Sequence, residues 1–64
     1  MLEKLLTIQE AAAKLNISPA TLRRMVWARE ISYINIGTGP YIMARFRPEH
    51  IEEFLESREV SRYA

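Results

Sequence analysis

The fold is decided by residues 7–27, which read TIQEAAAKLNISPATLRRMVW. Thr7 and Glu10 have the Thr-x-x-Glu spacing of a capping box, so a helix is predicted to begin here. Apolar residues then recur at the i, i+3, i+4 and i+7 spacing of one helical face. They are Ile8, Ala11, Ala12 and Leu15. Asn16 accepts the left-handed conformation that ends many helices, so the first helix is expected to stop there.

A second helix is predicted to follow after only Asn16 and Ile17. Ser18 is a favoured N-cap residue, and Pro19 suits the first helical position. The side chains expected on its buried face are Leu22, Met25 and Val26. Those expected to face mostly outward are Ala20, Thr21, Arg23 and Arg24. Trp27, at the end of the helix, lies off the buried face as well. It could stack on a sugar or pack over the hairpin that follows, and packing is the favoured interpretation. Two short helices joined by so tight a turn form a helix-turn-helix unit.

The hydrophobic period changes to two in residues 31–36, as in a half-buried strand. Ile34 and Ile36 would point to one face of that strand, and their neighbours to the other. The sequence Gly37-Thr38-Gly39-Pro40 breaks the strand, and residues 41–46 can return as its antiparallel partner. A two-stranded hairpin is therefore predicted after the helix pair.

A third helix is predicted to begin at Pro48, because early glutamates there suit the positive end of the helix dipole. Its apolar positions repeat the i, i+3, i+4 spacing and are expected to close the core. They are Ile51, Phe54 and Leu55. Met43 of the hairpin is expected to fill the core. The predicted fold class is α+β, mostly helical: a winged helix-turn-helix of three helices plus a two-stranded hairpin wing. Residues 5–57 form the predicted domain, and residues 58–64 a loose tail.

Charge is distributed unevenly along the chain, although the net charge is only +1. Residues 1–17 are neutral. Residues 18–47 carry five arginines and one glutamate, a net charge of +4, whereas residues 48–64 carry two arginines and five glutamates, a net charge of −3. A basic middle followed by an acidic end is expected when one surface meets a polyanion. Arginine suits planar, bidentate recognition better than lysine does.

The ordered set of these segments resembles the excisionase-type, MerR-like winged helix-turn-helix DNA-binding domains. The resemblance covers roughly residues 5–57 and is carried by residues 6–24 (LTIQEAAAKLNISPATLRR), 34–37 (INIG) and 45–55 (RFRPEHIEEFL). It implies a small protein of a phage, integrative element or transposon that binds and bends attachment-site DNA. It also implies a partner, a site-specific recombinase, whose reaction the protein biases towards excision.

Double-stranded DNA is the expected ligand, and the residues give a physical reason for it. A helix in the major groove has its N-terminal residues nearest to the base edges. Arg can fork onto guanine, and Thr or Ala can contact a thymine methyl. Ser18 and free N–H groups at the helix start can bind a phosphate. The candidate DNA-binding residues are Ser18, Ala20, Thr21, Arg23, Arg24, Thr38, Arg45 and Arg47.

Three features depart from the domains that the chain resembles. Arg29 stands where a Gly usually ends the second helix, and a left-handed backbone there would cost about 1 kcal/mol. Asn35 replaces a residue that is commonly basic. Residues 37–40, at the wing tip, contain no Arg or Lys. We therefore expect wing contacts to come from backbone amides, Thr38 and the two arginines of the returning strand, Arg45 and Arg47.

Catalysis is not expected from this composition. The chain has no Cys, no Asp and a single His, so neither a catalytic triad nor a zinc ligand set can be assembled. We expect no enzyme activity, no cofactor and no metal. No apolar run approaches the roughly 20 residues of a membrane span. The N-terminal Met1-Leu2-Glu3-Lys4 lacks the layout of a signal peptide, so a cytoplasmic location is expected.

Three functions remain open from the sequence. The first is an excisionase, or recombination directionality factor, with several copies bound cooperatively on DNA. The second is a small transcription regulator or a phage DNA-packaging module. The third, from a different class, is a protein-interaction adaptor whose acidic third helix docks on a recombinase or polymerase. Steep salt dependence of DNA binding would favour the first two, and salt-insensitive binding to a protein would favour the third.

Overall fold

A computed structural model describes residues 4–62 of the chain. Its elements in chain order are α1 (Ile8–Leu15), α2 (Pro19–Trp27), β1 (Ile34–Asn35), β2 (Ala44–Arg45) and α3 (Pro48–Arg58). The two strands form an antiparallel sheet, with Ile34 opposite Arg45 and Asn35 opposite Ala44. We call residues 34–45, the strands and the loop between them, the wing. The predicted winged helix-turn-helix fold is confirmed.

Helix α1 begins at the predicted capping box. The backbone N–H of Thr7 donates to Glu10 Oε1 at 2.9 Å, and the N–H of Glu10 donates to Thr7 Oγ1 at 3.1 Å. The helix ends at Asn16, whose φ of 57° is left-handed, as predicted. The N–H groups of Asn16 and Ile17 bond back to the carbonyls of Ala13 and Ala12, which is a Schellman motif. Both ends of α1 are therefore fixed by local chemistry.

Helix α2 ends in the same way but with an arginine. The Ser18 hydroxyl caps its start, and Pro19 occupies the first turn, as predicted. At its end Arg29 has a left-handed φ of 59°. The Arg29 N–H donates to the Val26 carbonyl at 3.1 Å, and the Glu30 N–H donates to the Met25 carbonyl at 2.9 Å. These two bonds complete a Schellman motif that ordinarily has glycine at the left-handed position.

One core joins the helix pair to the wing and to α3. Its buried side chains are Leu6, Ala11, Ala12, Leu22, Val26, Ile31, Ala44, Phe46 and Ile51. Small alanines on α1 let α2 approach closely, because interhelical distance depends on the side chains at the contact. Phe46 and Leu22 have no exposed surface. Phe46 also pairs with Leu6 through two backbone hydrogen bonds, of 2.8 and 2.9 Å, which tie the start of the chain to β2.

The wing differs from its prediction in length, and the structure shows which of its faces is buried. Each strand has two residues rather than six. Ile31, in the segment after α2, is buried. Side chains alternate between the two faces of an extended chain, so Tyr33, two residues later, also packs against the core. Ile36 therefore lies on the opposite side of the strand and is exposed. Met43, opposite it, is exposed too, so the prediction that Met43 fills the core is wrong.

Helix α3 begins at Pro48, as predicted, and ends at Arg58. Ile51 is buried and Phe54 packs against the core, but Leu55 is exposed, so the prediction that Leu55 closes the core is wrong. The N–H of Arg47, its N-cap residue, donates to His50 Nδ1 at 3.2 Å. Arg58 lies 3.8 Å from the Glu30 carboxylate and 5.0 Å from the centre of the Phe54 ring, which joins the end of α3 to the segment after α2. The division into domain 5–57 and tail 58–64 stays a prediction, and residues 63 and 64 of that tail lie outside the described residues.

Candidate nucleic-acid interface

A hydrogen-bonded cluster lies at the start of α2. The Ser18 hydroxyl accepts from the Thr21 N–H at 3.1 Å and lies 2.8 Å from the Thr21 hydroxyl. Arg24 Nη2 donates to the same Thr21 hydroxyl at 3.3 Å. The Arg24 side chain is thus drawn towards the N-terminus of the helix, the end that lies nearest to bases when a helix docks in the major groove. Three of the predicted site residues are brought together here.

Few backbone donors remain in this first turn. Pro19 has no N–H, and the Thr21 N–H is already bonded to Ser18. Ala20, which is exposed, supplies the remaining backbone N–H of the turn. A phosphate at this position would therefore be bound by the Ala20 N–H and the Ser18 hydroxyl rather than by a row of amides.

The outward side of α2 forms a continuous exposed stripe, which we call the recognition face. Its members stand at i, i+3, i+4 and i+7, so they share one side of the helix. They are Ala20, Arg23, Arg24 and Trp27, and all four are exposed. The prediction that Trp27 packs over the following segment is wrong, because this side chain is 65% exposed. Its spacing from Ala20 was the signal that could have placed it on this face.

The wing residues of the predicted site have different surroundings from one another. Thr38 is exposed at the tip. Arg47 is exposed too, but it is the N-cap residue of α3, so its predicted place on the returning strand is wrong. Arg45 is half-buried, and its Nη1 donates to the carbonyl of Ala44 at 2.9 Å. One N–H donor of the Arg45 guanidinium is therefore already bonded within the protein, which leaves fewer donors for a phosphate.

Glu10 lies within the electrostatic reach of Arg45. The Thr7 N–H that donates to this carboxylate has the largest effect and lowers the pKa of Glu10 below its ordinary value. Lys4, whose Nζ is 4.0 Å from Glu10 Oε2, and Arg45 lower that pKa further. Glu10 is therefore ionised at neutral pH and offsets part of the positive charge beside β2.

The wing loop is held by a side chain that the sequence did not assign to any role. Asn35 Oδ1 accepts from the N–H of Gly37 at 2.9 Å and from the N–H of Met43 at 3.0 Å, across the hairpin. A Cβ on Gly37 would lie 2.3 Å from the carbonyl oxygen of Tyr41, so the two sides of the loop touch here. Gly39 has a φ of +62° at the first central position of a turn closed by Tyr41 and Thr38, as in type II′ hairpin turns.

Carboxylates are absent from the segment between Glu30 and Glu49, which contains the whole wing. The acidic residues of α3 are exposed and lie beyond that segment. The described residues include no group of three or more His, Cys, Asp or Glu side chains that could hold a metal ion. Within residues 4–62, no helix is both long enough and apolar enough to cross a membrane.

Comparison with known proteins gives one match. The family model described as helix-turn-helix domain matches residues 5–59, which include all three helices and the wing. No curated protein and no solved structure matches the chain significantly. The match supports the helix-turn-helix part of the resemblance, and the MerR-like part stays a prediction.

Proposed function

Since the chain belongs to the helix-turn-helix domain family, which supports sequence-specific DNA binding, we propose that it is an excisionase, or recombination directionality factor. It binds attachment-site DNA, bends it and assists a site-specific recombinase without itself catalysing a reaction. The observation that carries the proposal is the recognition face, which presents two adjacent arginines on the second helix of the pair.

Each candidate residue has a role in this proposal. Arg23 and Arg24 read base edges in the major groove, where an Arg fork fits the O6 and N7 atoms of guanine. Ala20 and the methyl group of Thr21 contact thymine methyls, and Ser18 binds a phosphate. The Thr21 hydroxyl, bonded to both Ser18 and Arg24, also positions the Arg24 side chain.

A second group of contacts holds the flanking backbone. Arg47, Arg45 and Thr38 contact phosphates on the wing side of the site. Such contacts fix the orientation of the protein but do not read sequence. Because Arg45 is half-buried beside Ala44, we expect Arg47 to contribute more than Arg45 to phosphate binding.

Substitution of the arginines tests DNA binding directly. Arg23→Ala or Arg24→Ala should weaken binding to a duplex selected by the parent from a random library by about 1–3 kcal/mol, and should relax preference at one base pair. Fluorescence anisotropy with the selected duplex and single-base variants measures both effects. Arg62→Ala, at an exposed arginine near the end of the chain, is the charge-matched control. Parent-like binding by both recognition-face variants would show that the proposed face is wrong.

Assembly on DNA separates an excisionase from the second candidate, a small transcription regulator or packaging module. One short domain makes few contacts, so specificity would come from several copies on repeated sites. Neighbouring copies could meet through the basic wing edge of one and the acidic α3 of the next. We expect a monomer in solution and stepwise cooperative band shifts, with a bend that grows with each copy. A two-fold dimer on one unbent palindrome would favour the regulator.

The adaptor is the third candidate, and the exposed acidic face of α3 is the feature that favours it. The adaptor function predicts binding to a recombinase or polymerase. This binding should persist at high salt and after substitution of the recognition-face arginines. If the double variant Arg23→Ala, Arg24→Ala captures such a protein as well as the parent does, and the parent binds no DNA, the adaptor function would replace the proposed function.

A further inference from the structure

The tip of the wing carries an exposed apolar surface. Among the described residues, seven large hydrophobic side chains are exposed, and four of them lie within residues 36–43. We call these four the wing-tip patch: Ile36 (49% exposed), Tyr41 (74%), Ile42 (48%) and Met43 (49%). Scattered exposed apolar residues need no explanation, but apolar side chains gathered in one place mark a surface that binds something.

The wing-tip patch is presented on a rigid loop. Asn35 Oδ1 bonds both sides of the hairpin, and the Ile36 N–H donates to the Met43 carbonyl at 3.0 Å. Gly37 packs so closely against the Tyr41 carbonyl that a Cβ would not fit. Gly39 and Pro40 form the turn at the end. A loop held in this way loses little conformational entropy when it enters a narrow site.

Charge around the patch favours a polyanion over other occupants. No carboxylate lies between Glu30 and Glu49, while Arg45 and Arg47 follow the patch directly. The wing segment itself therefore brings no negative charge towards a phosphate, and the carboxylate of Glu10, from outside the segment, acts on Arg45 rather than on the tip. The tip itself has no cation, so apart from Thr38 and the backbone amides it offers DNA an apolar contact.

From this geometry we infer that the wing-tip patch is a wedge that enters the minor groove and partly unstacks a base step. Ile and Met are among the side chains that do this in other architectural proteins, where they kink the duplex by about 20–90°. The inference rests on the proposed DNA binding and adds to it a source for the bend. The recognition face selects the site, and the wedge deforms it.

Two variants of the patch test the wedge. Tyr41→Ser and Ile42→Ser each remove an exposed apolar side chain, and Leu55→Ser does the same on α3, where the side chain is 51% exposed. The probe is the duplex selected by the parent from a random library, carrying fluorophores at its ends and 2-aminopurine at successive steps. Energy transfer measures the bend, and 2-aminopurine emission measures unstacking.

We expect the parent to bend the duplex and to raise 2-aminopurine emission at one step on the wing side. Tyr41→Ser and Ile42→Ser should lose most of both signals while keeping the base preferences set by Arg23 and Arg24. Leu55→Ser should match the parent. Circular dichroism of each variant shows that a lost bend is not lost folding.

The outcomes separate the wedge from the function on which it rests. A parent that binds its duplex without bending it, or patch variants that bend it as the parent does, would overturn the wedge and leave DNA binding intact. A parent that binds no duplex would overturn the proposed function as well. If the free protein self-associates in sedimentation and the patch variants abolish this, the patch joins copies of the chain and the wedge is overturned.

Discussion

The α1–α2 pair and the wing of this molecule are held together by different means. The helix pair buries Ala11, Ala12, Leu22 and Val26, and each helix is capped by neighbours within a few positions. The wing has two-residue strands and leaves large apolar side chains in solvent. It relies instead on one side chain, Asn35, that bonds a residue eight positions away. The pair is stabilised by its core, and the wing by a few specific contacts.

This difference indicates that the helix pair and the wing have different roles. A capped helix pair with a buried seam is a rigid platform, and rigid elements position binding groups well. The wing is held rigid by a few hydrogen bonds instead of a buried seam, so one substitution there can break it without reaching the core. The platform carries the polar face that can read sequence, while the wing carries an apolar tip whose use would be to deform a ligand. A substitution that removes the function of one region should therefore leave the function of the other in place.

Leu22→Ala is expected to have the largest effect, because Leu22 has no exposed surface and joins the two helices. Removing a buried leucine typically costs about 2–5 kcal/mol. For a domain of this size, that is a large share of the whole stability. Urea denaturation followed by circular dichroism measures it. Leu55→Ala, at an exposed site on α3, should change stability by less than about 0.5 kcal/mol. Equal costs for the two would contradict a core centred on the helix pair.

Gly37→Ala should break the wing and spare the helix pair. The added Cβ would meet the Tyr41 carbonyl, so the loop must open, at a cost of about 1–3 kcal/mol. Amide hydrogen exchange should show lost protection at Ile36, with the helix amides unchanged. Gly39→Ala is the matched control, since nothing lies near its Cβ and only its left-handed φ opposes the change. Its cost should lie in the lower part of that range, about 1–2 kcal/mol. A larger cost at Gly39 would show that turn conformation, not loop contact, holds the wing.

Arg29→Gly is expected to have the smallest effect and the opposite sign. Arg29 is left-handed at the end of α2, and glycine removes the Cβ clash at that conformation. The variant should be stabilised by up to about 1 kcal/mol, seen as a higher melting temperature. Arg29→Ala removes the same charge but keeps the Cβ, so it should bring no such gain. A melting temperature that falls on Arg29→Gly would indicate that α2 does not end at this Schellman motif.

The two regions also differed in how far the sequence could predict them. The capping box of Thr7 and Glu10, the left-handed Asn16 and the Ser18 cap follow from residues three or four positions apart, and all were confirmed. The side of the wing that faces the core was not predicted. It depends on the position of Ile31 after α2, a tertiary contact that alternation alone does not reveal.

The same limit applies to the candidate site. Residue types and helix position were enough to nominate Arg23 and Arg24, and the structure leaves both exposed. The helical spacing of Trp27 could have placed it on the same face, but sequence patterns could not show that Arg45 lies half-buried within reach of the distant Glu10. Contacts between residues far apart in the chain determine these features. Base contacts by these residues stay a prediction.

The salt dependence of binding to the selected duplex tests the central claim most directly. If the recognition face, Arg45 and Arg47 neutralise phosphates, the logarithm of the affinity should fall linearly with the logarithm of salt concentration. Arg47→Ala should flatten that slope by about one unit, and Arg62→Ala should leave it unchanged. A slope near zero for the parent, or one that Arg47→Ala does not alter, would contradict the account.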